Sequence, residues 1–185
     1  MTTIYLVRHG QASFGAESYD KLSTNGEQQA ILLGQYFAEI LKEAPYVVAG
    51  SMQRHQQTAN IALTECFPHT QITTHTAWNE FHHQQVFAQY DARFNEPHLL
   101  KQEVAKHENP RAYLSTIFAG AIQRWTGGEY HHEYDESWPD FKSRVELGLA
   151  ELCDQLSESQ PRYAVVFTSG GVISVAVGKI LGLSP

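Results

Sequence analysis

Ala164-Val165-Val166-Phe167-Thr168-Ser169-Gly170-Gly171-Val172-Ile173 is an apolar, β-branched run that breaks at Ser-Gly-Gly and resumes with the residues of an apolar helix. Its apolar residues are consecutive rather than alternating, which is the pattern of a strand covered by helices on both faces and therefore of a parallel, central sheet. Thr3-Ile4-Tyr5-Leu6-Val7 has the same character. The Gly170 and Gly171 amides open the expected helix, and backbone N–H groups at a helix start form a natural seat for an anion.

Working outward, Tyr46 to Ala49 and Gln71 to His75 read as two further strands, beside Thr3 to Val7 and Tyr163 to Phe167. Thr24-Asn25-Gly26-Glu27 has capping-box spacing, and Ala30, Leu33, Phe37 and Leu41 recur on one face of the helix it predicts. Ser137 is expected to cap a helix whose first position is Pro139, with Phe141, Val145, Leu149, Leu152 and Leu156 as its buried stripe. Strand and helix alternate, so the expected fold is α/β, a three-layer α/β/α sandwich around a mostly parallel sheet. From Gln84 to Glu136 the alternation fails. This aromatic stretch, punctuated by Pro97, Pro110 and Gly127-Gly128 and helical in pattern from Arg111 to Trp125, is expected to be a helical insertion over the strand ends, as a lid, a substrate wall or plain padding.

The chain has 185 residues, 42% of them hydrophobic, enough for one sizeable core and one domain over 1–185. Thirteen Lys and Arg stand against twenty Asp and Glu, a formal charge of −7, which argues against a nucleic-acid partner. Met1-Thr2-Thr3 runs straight into strand-like sequence and no apolar run has membrane-spanning length, so neither signal peptide nor membrane is expected, and the location is read as cytoplasmic. Cys66 and Cys153 match no metal or redox spacing and are expected to be buried, reduced thiols.

The chemistry-bearing residues gather after the strands. Arg8-His9-Gly10 follows the first, Arg54 with Thr58-Ala59 the second, Glu80 the third and Ser169-Gly170-Gly171 the fourth. In open α/β sheets ligands collect outside the carboxyl ends of the strands. Two guanidiniums there make planar, permanently charged forks suited to phosphoryl oxygens.

In this order and spacing, together with Leu22-Ser23-Thr24-Asn25-Gly26-Glu27, Glu136-Ser137 and Arg144-Val145, these elements resemble the histidine phosphatase superfamily, which includes the cofactor-dependent phosphoglycerate mutases. The resemblance implies that His9 is a nucleophile forming a phosphohistidine, that Arg8 and Arg54 hold the phosphoryl oxygens, and that Glu80 protonates the leaving oxygen and then activates water. It implies no cofactor and no metal, and a small-molecule or peptide phosphomonoester as substrate.

Ser169 occupies a position that is ordinarily a second histidine in that family. A serine hydroxyl can still donate to a phosphoryl group but carries no charge, so the expectation is a weakened phosphatase, with His82 or His83 as accessory rings that could compensate. Gly50 stands where many relatives have Ser. The loop Gln11, Ala12, Ser13, Phe14 and Gly15 lacks a frequent Asn, and Gly182-Leu183-Ser184-Pro185 ends where relatives usually continue, so a C-terminal family segment is expected to be absent. Two other readings stand beside phosphatase: a degenerate phosphoryl-binding protein with little or no turnover, and a mutase-type phosphotransferase. A zinc hydrolase finds little support, because His132-Glu133 and His107-Glu108 lack a second histidine at ligand spacing. Substrate selection is assigned to the insertion, with Arg93, Arg111, Arg124, Phe87, Tyr90 and Trp125 as candidates.

Overall fold

A computed structural model describes residues 1–13 and 20–183; Phe14, Gly15, Ser184 and Pro185, named above, lie outside the described residues. In chain order the elements are β1 (Thr3–Arg8), α1 (Thr24–Ile40), β2 (Tyr46–Ala49), α2 (Gln53–Cys66), β3 (Ile72–Thr74), α3 (His83–Tyr90), α4 (Pro97–Ala105), α5 (Pro110–Thr126), α6 (Trp138–Ser159), β4 (Tyr163–Thr168) and α7 (Gly170–Leu181). Two compact units result. One comprises Met1–Glu80 with Arg144–Pro185, the other Phe81–Ser143.

The first unit holds a parallel sheet of order β1-β4-β2-β3 flanked by helices, the α/β fold expected. All six residues of β4 are buried, as its unbroken apolar run requires. β1 reads similarly in sequence but is an end strand of the described sheet and only half-buried. Val47, Ala49, Val165 and Phe167 face α1 and α2, where Phe37, Leu41, Ala59, Ala62 and Leu63 complete one core layer. Side chains of this size stabilise by roughly 1.5–3 kcal/mol each when fully buried. On the other face α6 borders Val48 and Trp78 through Gly148 and Leu152.

Two local expectations are corrected. The N-cap of α1 is Ser23, whose hydroxyl accepts from Gly26 N at 3.1 Å; Thr24 is the first helical residue, and Glu27 acts in the first turn through its charge. α6 begins at Trp138, so Pro139 is its second residue rather than its first. Of the cysteines, Cys66 is half-buried and Cys153 exposed, and neither forms a disulfide.

The second unit extends beyond the expected 84–136. Its aromatic core joins Phe81, Trp125, Trp138 and Phe141, with the Phe81 and Trp125 rings 4.6 Å apart and Trp125 Nε1 donating to Glu136 O at 3.1 Å. Phe81 lies just before those bounds, and Trp138 and Phe141 lie after them in the first turn of α6, whose continuous helical pattern carries no mark of the boundary at Ser143. Within this unit Arg124 lies 3.9 Å from the Tyr130 ring, donates to Tyr134 and pairs with Glu133 at 2.6 Å, beside a hollow of about 400 Å³ that Tyr90 and Gly120 also line.

Candidate active site

Sheet register brings the expected residues to one edge. Arg8 pairs with Thr168 and Ala49 with Phe167, so His9, Ser169 and Gly50 are each the first residue past their strand. The ladder continues one step further: His9 N donates to Thr168 O at 2.9 Å and Gly50 N to Phe167 O at 3.0 Å. Gly10 is fixed by its amide, which donates to Thr58 Oγ1 at 3.1 Å, and by close approach to Gly26, where a Cβ on either glycine would overlap backbone of the other segment.

His9 is held at both ring nitrogens. Nδ1 lies 2.7 Å from Gly10 O, and Arg54 Nε lies 3.2 Å from Nε2. A carbonyl can only accept and a guanidinium only donate, so Nδ1 carries the proton and Nε2 presents a lone pair. Burial chiefly pushes the pKa of His9 below the ordinary value; the Gly10 hydrogen bond opposes this, the charges of Arg54 and Arg8 add to it, and Asp20 opposes it. The result is a neutral imidazole with its Nε2 lone pair beside a buried cation.

Arg54, in the first turn of α2, is 4% exposed, and its Nη1 donates to Asp20 Oδ1 at 2.6 Å. Asp20 Oδ2 in turn accepts from Gln53 N at the start of the same helix. Arg8 is exposed, with its guanidinium alongside Gly170. Glu80 Oε2 accepts from Gly171 N at 3.1 Å, so this carboxylate sits on the N-terminus of α7. Arg144 braces the approach to Glu80: its Nη1 donates to the carbonyls of Thr76, Ala77 and Asn79 at 3.0 Å each. His9, Arg8, Arg54 and Glu80 thus belong to one strand-end cluster, an arrangement of one imidazole lone pair, two guanidiniums and a carboxylate.

Ser169 differs from its expected part. It is wholly buried, and its Oγ lies 2.6 Å from Nε2 of His55, which is also wholly buried. The ring beside His9 is therefore that of His55, with centroids 5.6 Å apart. The proposed accessory rings belong to the second unit, where His82 Nδ1 accepts from Gln85 N and caps α3, and His83 is the first residue of that helix. Sequence reasoning missed His55 and Asp20. The available signal for His55 was its place one residue after Arg54, in a chain whose neighbouring strand ends carry the small residues Gly50 and Ser169.

Among the described residues no group of three or more His, Cys, Asp or Glu side chains gathers as a metal site, and no helix is long and apolar enough to cross a membrane.

Residues 4–113 match the family model of the histidine phosphatase superfamily (branch 1). No curated protein sequence matches the chain. Solved structures resemble it over nearly its whole length. Phosphoglycerate mutase from Bacillus anthracis is 17% identical with a TM-score of 0.66, covering 96% of this chain and 79% of that one. A mycobacterial glucosyl-3-phosphoglycerate phosphatase is 20% identical, TM-score 0.61, covering 97% and 79%. The α-ribazole phosphatase from Shigella flexneri is 17% identical, TM-score 0.60, covering 98% and 80%. At such identities the likeness is one of fold.

Proposed function

The chain belongs to the histidine phosphatase superfamily, and from that premise we propose that it is a phosphatase acting on a small or peptide-borne phosphomonoester through a phosphohistidine on His9. The observation that carries this reading is the tautomer of His9, with Nδ1–H bound to Gly10 O and the Nε2 lone pair beside Arg54.

In the first step Nε2 attacks phosphorus, the bond from phosphorus to the ester oxygen breaks, and Glu80 gives that oxygen a proton. In the second, Glu80 takes a proton from water, the water oxygen bonds to phosphorus, and the P–N bond breaks to return His9 and inorganic phosphate. Arg8 and Arg54 offset the charge on the equatorial oxygens, and the Gly170 amide at the start of α7 adds an oriented donor, the Gly171 amide being held by Glu80. Charge stabilisation thus comes from guanidiniums, and no metal or cofactor is part of the reading. A cytoplasmic setting accords with two cysteines that form no disulfide.

A binding protein without turnover is the second reading. The closed pairing of Ser169 with His55 favours it, because that hydroxyl is wholly buried. A mutase has no comparable support. Hydrolysis of p-nitrophenyl phosphate by the chain and by His9→Ala decides between phosphatase and binder: His9-dependent product is expected, and its absence from both proteins leaves only binding. α-Ribazole phosphate and glucosyl-3-phosphoglycerate head the natural substrate panel, since structural neighbours are named for them.

A further inference from the structure

His55 reaches the back of the site from inside α2. Its Nε2 lies 2.6 Å from Ser169 Oγ, its ring centroid 5.6 Å from that of His9, and its Nδ1 is buried with no hydrogen-bond partner. A Cβ on Gly50 would overlap that Nδ1, and also Asn79 Oδ1 and the Trp78 carbonyl, so glycine at 50 leaves room for the ring and for the neighbouring backbone alike. A buried N–H without an acceptor is rarer and costlier than an under-used acceptor, so the ring proton belongs on Nε2, donated to Ser169 Oγ, and Nδ1 keeps a bare lone pair.

We propose that His55 is a positioning residue for His9: anchored by Ser169 and admitted by Gly50, its ring walls the face of the His9 imidazole, keeping it oriented for attack and shielded from water. This rests on the reading of His9 as nucleophile. The Gly10 and Arg54 hydrogen bonds restrain His9 within its ring plane, and a packed wall is what limits tilting out of it. The charged groups acting on the pair are Arg8 from β1, Arg54 from α2 and Asp20 from the loop before α1; Glu80, from the segment after β3, puts its carboxylate on the start of α7. Burial, with Arg54 and His9 adding to it, holds the pKa of His55 down to about 3, so the wall brings no further positive charge. One volume also serves two positions. With Oγ and Nε2 at 2.6 Å and both residues wholly buried, a larger side chain at 169 has no room while His55 is present.

The test is nitrogen-resolved NMR of the imidazoles in the whole chain from pH 4 to 9, beside p-nitrophenyl phosphate kinetics, for the parent, His55→Ala, His55→Gln and Gly50→Ala. In the parent, His55 is expected as a non-titrating Nε2–H tautomer. In His55→Ala the His9 midpoint rises toward its ordinary 6.5, and kcat falls by about 100-fold with a smaller change in KM. His55→Gln, whose amide nitrogen can still donate to Ser169 Oγ, restores most of both. Should His55→Ala fail to fold, Gly50→Ala takes its place: its Cβ meets the ring at Nδ1, as well as Asn79 Oδ1 and the Trp78 carbonyl, and the same rise in the His9 midpoint is expected. An unchanged His9 midpoint in the folded variants overturns the proposal, as does equal loss in the glutamine and alanine variants. A parent without turnover would instead overturn the catalytic reading, and the titration of His9 would still report on the wall.

Discussion

Arg54 donates its Nε–H toward His9 Nε2 at 3.2 Å. The same guanidinium holds Asp20 Oδ1 through Nη1 at 2.6 Å, so the cation beside His9 is itself partly offset by a carboxylate. This chain of an imidazole and two charges makes the site's electrostatics depend on a loop residue outside the imidazole's own hydrogen bonds.

Asp20→Asn removes the charge that raises the pKa of His9, while the lowering influences of burial, Arg54 and Arg8 remain. The pKa of His9 therefore drops further, and the acid limb of kcat/KM moves to lower pH. Asp20 is 40% exposed in its side chain but Arg54 only 5%, so the loss leaves a buried cation with a neutral acceptor and costs about 1–3 kcal/mol of stability. A pH–rate profile with unchanged or raised acid limb contradicts the expected sign.

Arg144→Met tests the brace behind Glu80. Three carbonyls, of Thr76, Ala77 and Asn79, lose one shared cationic donor. Hydrogen bonds to charged groups contribute about 1.5–3 kcal/mol each, but a single nitrogen serving three acceptors gives a total near that of one strong bond. Urea unfolding should show a loss of about 1.5–3 kcal/mol. Kinetics should show kcat falling more than KM rises, because the carboxylate proposed to move the proton is displaced while Arg8 and Arg54 stay. Equal kcat in the two proteins would detach Arg144 from Glu80.

The sheet was legible because β4 and β2 are short apolar runs bounded by glycine, and the residues following them were legible because parallel register puts strand ends side by side. The strand-end positions of Arg8, His9 and Arg54 were read on that basis, and the roles expected of them and of Glu80 came from the resemblance. Ser169 was read by what its own side chain could offer, whereas its geometry is set by a partner 114 residues away. The imidazole of His55 is invisible to periodicity, since a lone histidine in the first turn of a helix usually faces solvent. Asp20 was hidden for the opposite reason: it is a half-buried acid in a loop, and only the fold aims it at Arg54. The start of α1 was misread by one residue, because Thr24 and Ser23 are both good caps and the choice falls to whichever hydroxyl meets the Gly26 amide.

Gly26→Ala examines the tight join between α1 and the His9 loop. The added Cβ would overlap the carbonyl of Gln11, a backbone atom that cannot turn aside as a flexible side chain could. Overpacking of this kind costs about 1–3 kcal/mol. The strain falls on the segment that carries Gly10 O, the acceptor for His9 Nδ1, so hydrolysis should decline together with thermal midpoint. A variant with parental melting and parental rate would mean that the loop moves without cost.

The buried ring of His55 also makes stability depend on pH, with a definite sign. Unfolded, it takes a proton below its ordinary 6.5; folded, burial and the charges of Arg54 and His9 delay this to about 3. The unfolded chain therefore binds more protons between those values, and the folded state loses stability as pH falls from 6.5 toward 3, at up to about 1.4 kcal/mol per pH unit. Above 6.5 the group is neutral in both states and the contribution is level. His9 acts in the same direction, and glutamine at 55, which keeps most of the wall, leaves that contribution close to the parent's. Glutamine at that position never titrates, so His55→Gln should lose about 2 kcal/mol less than the parent between pH 7 and pH 5, measured by urea unfolding at each pH. Parallel pH dependences for the two proteins would show that His55 is protonated as readily inside the fold as outside it, which a ring sealed among Gly50, Ser169 and His9 does not permit.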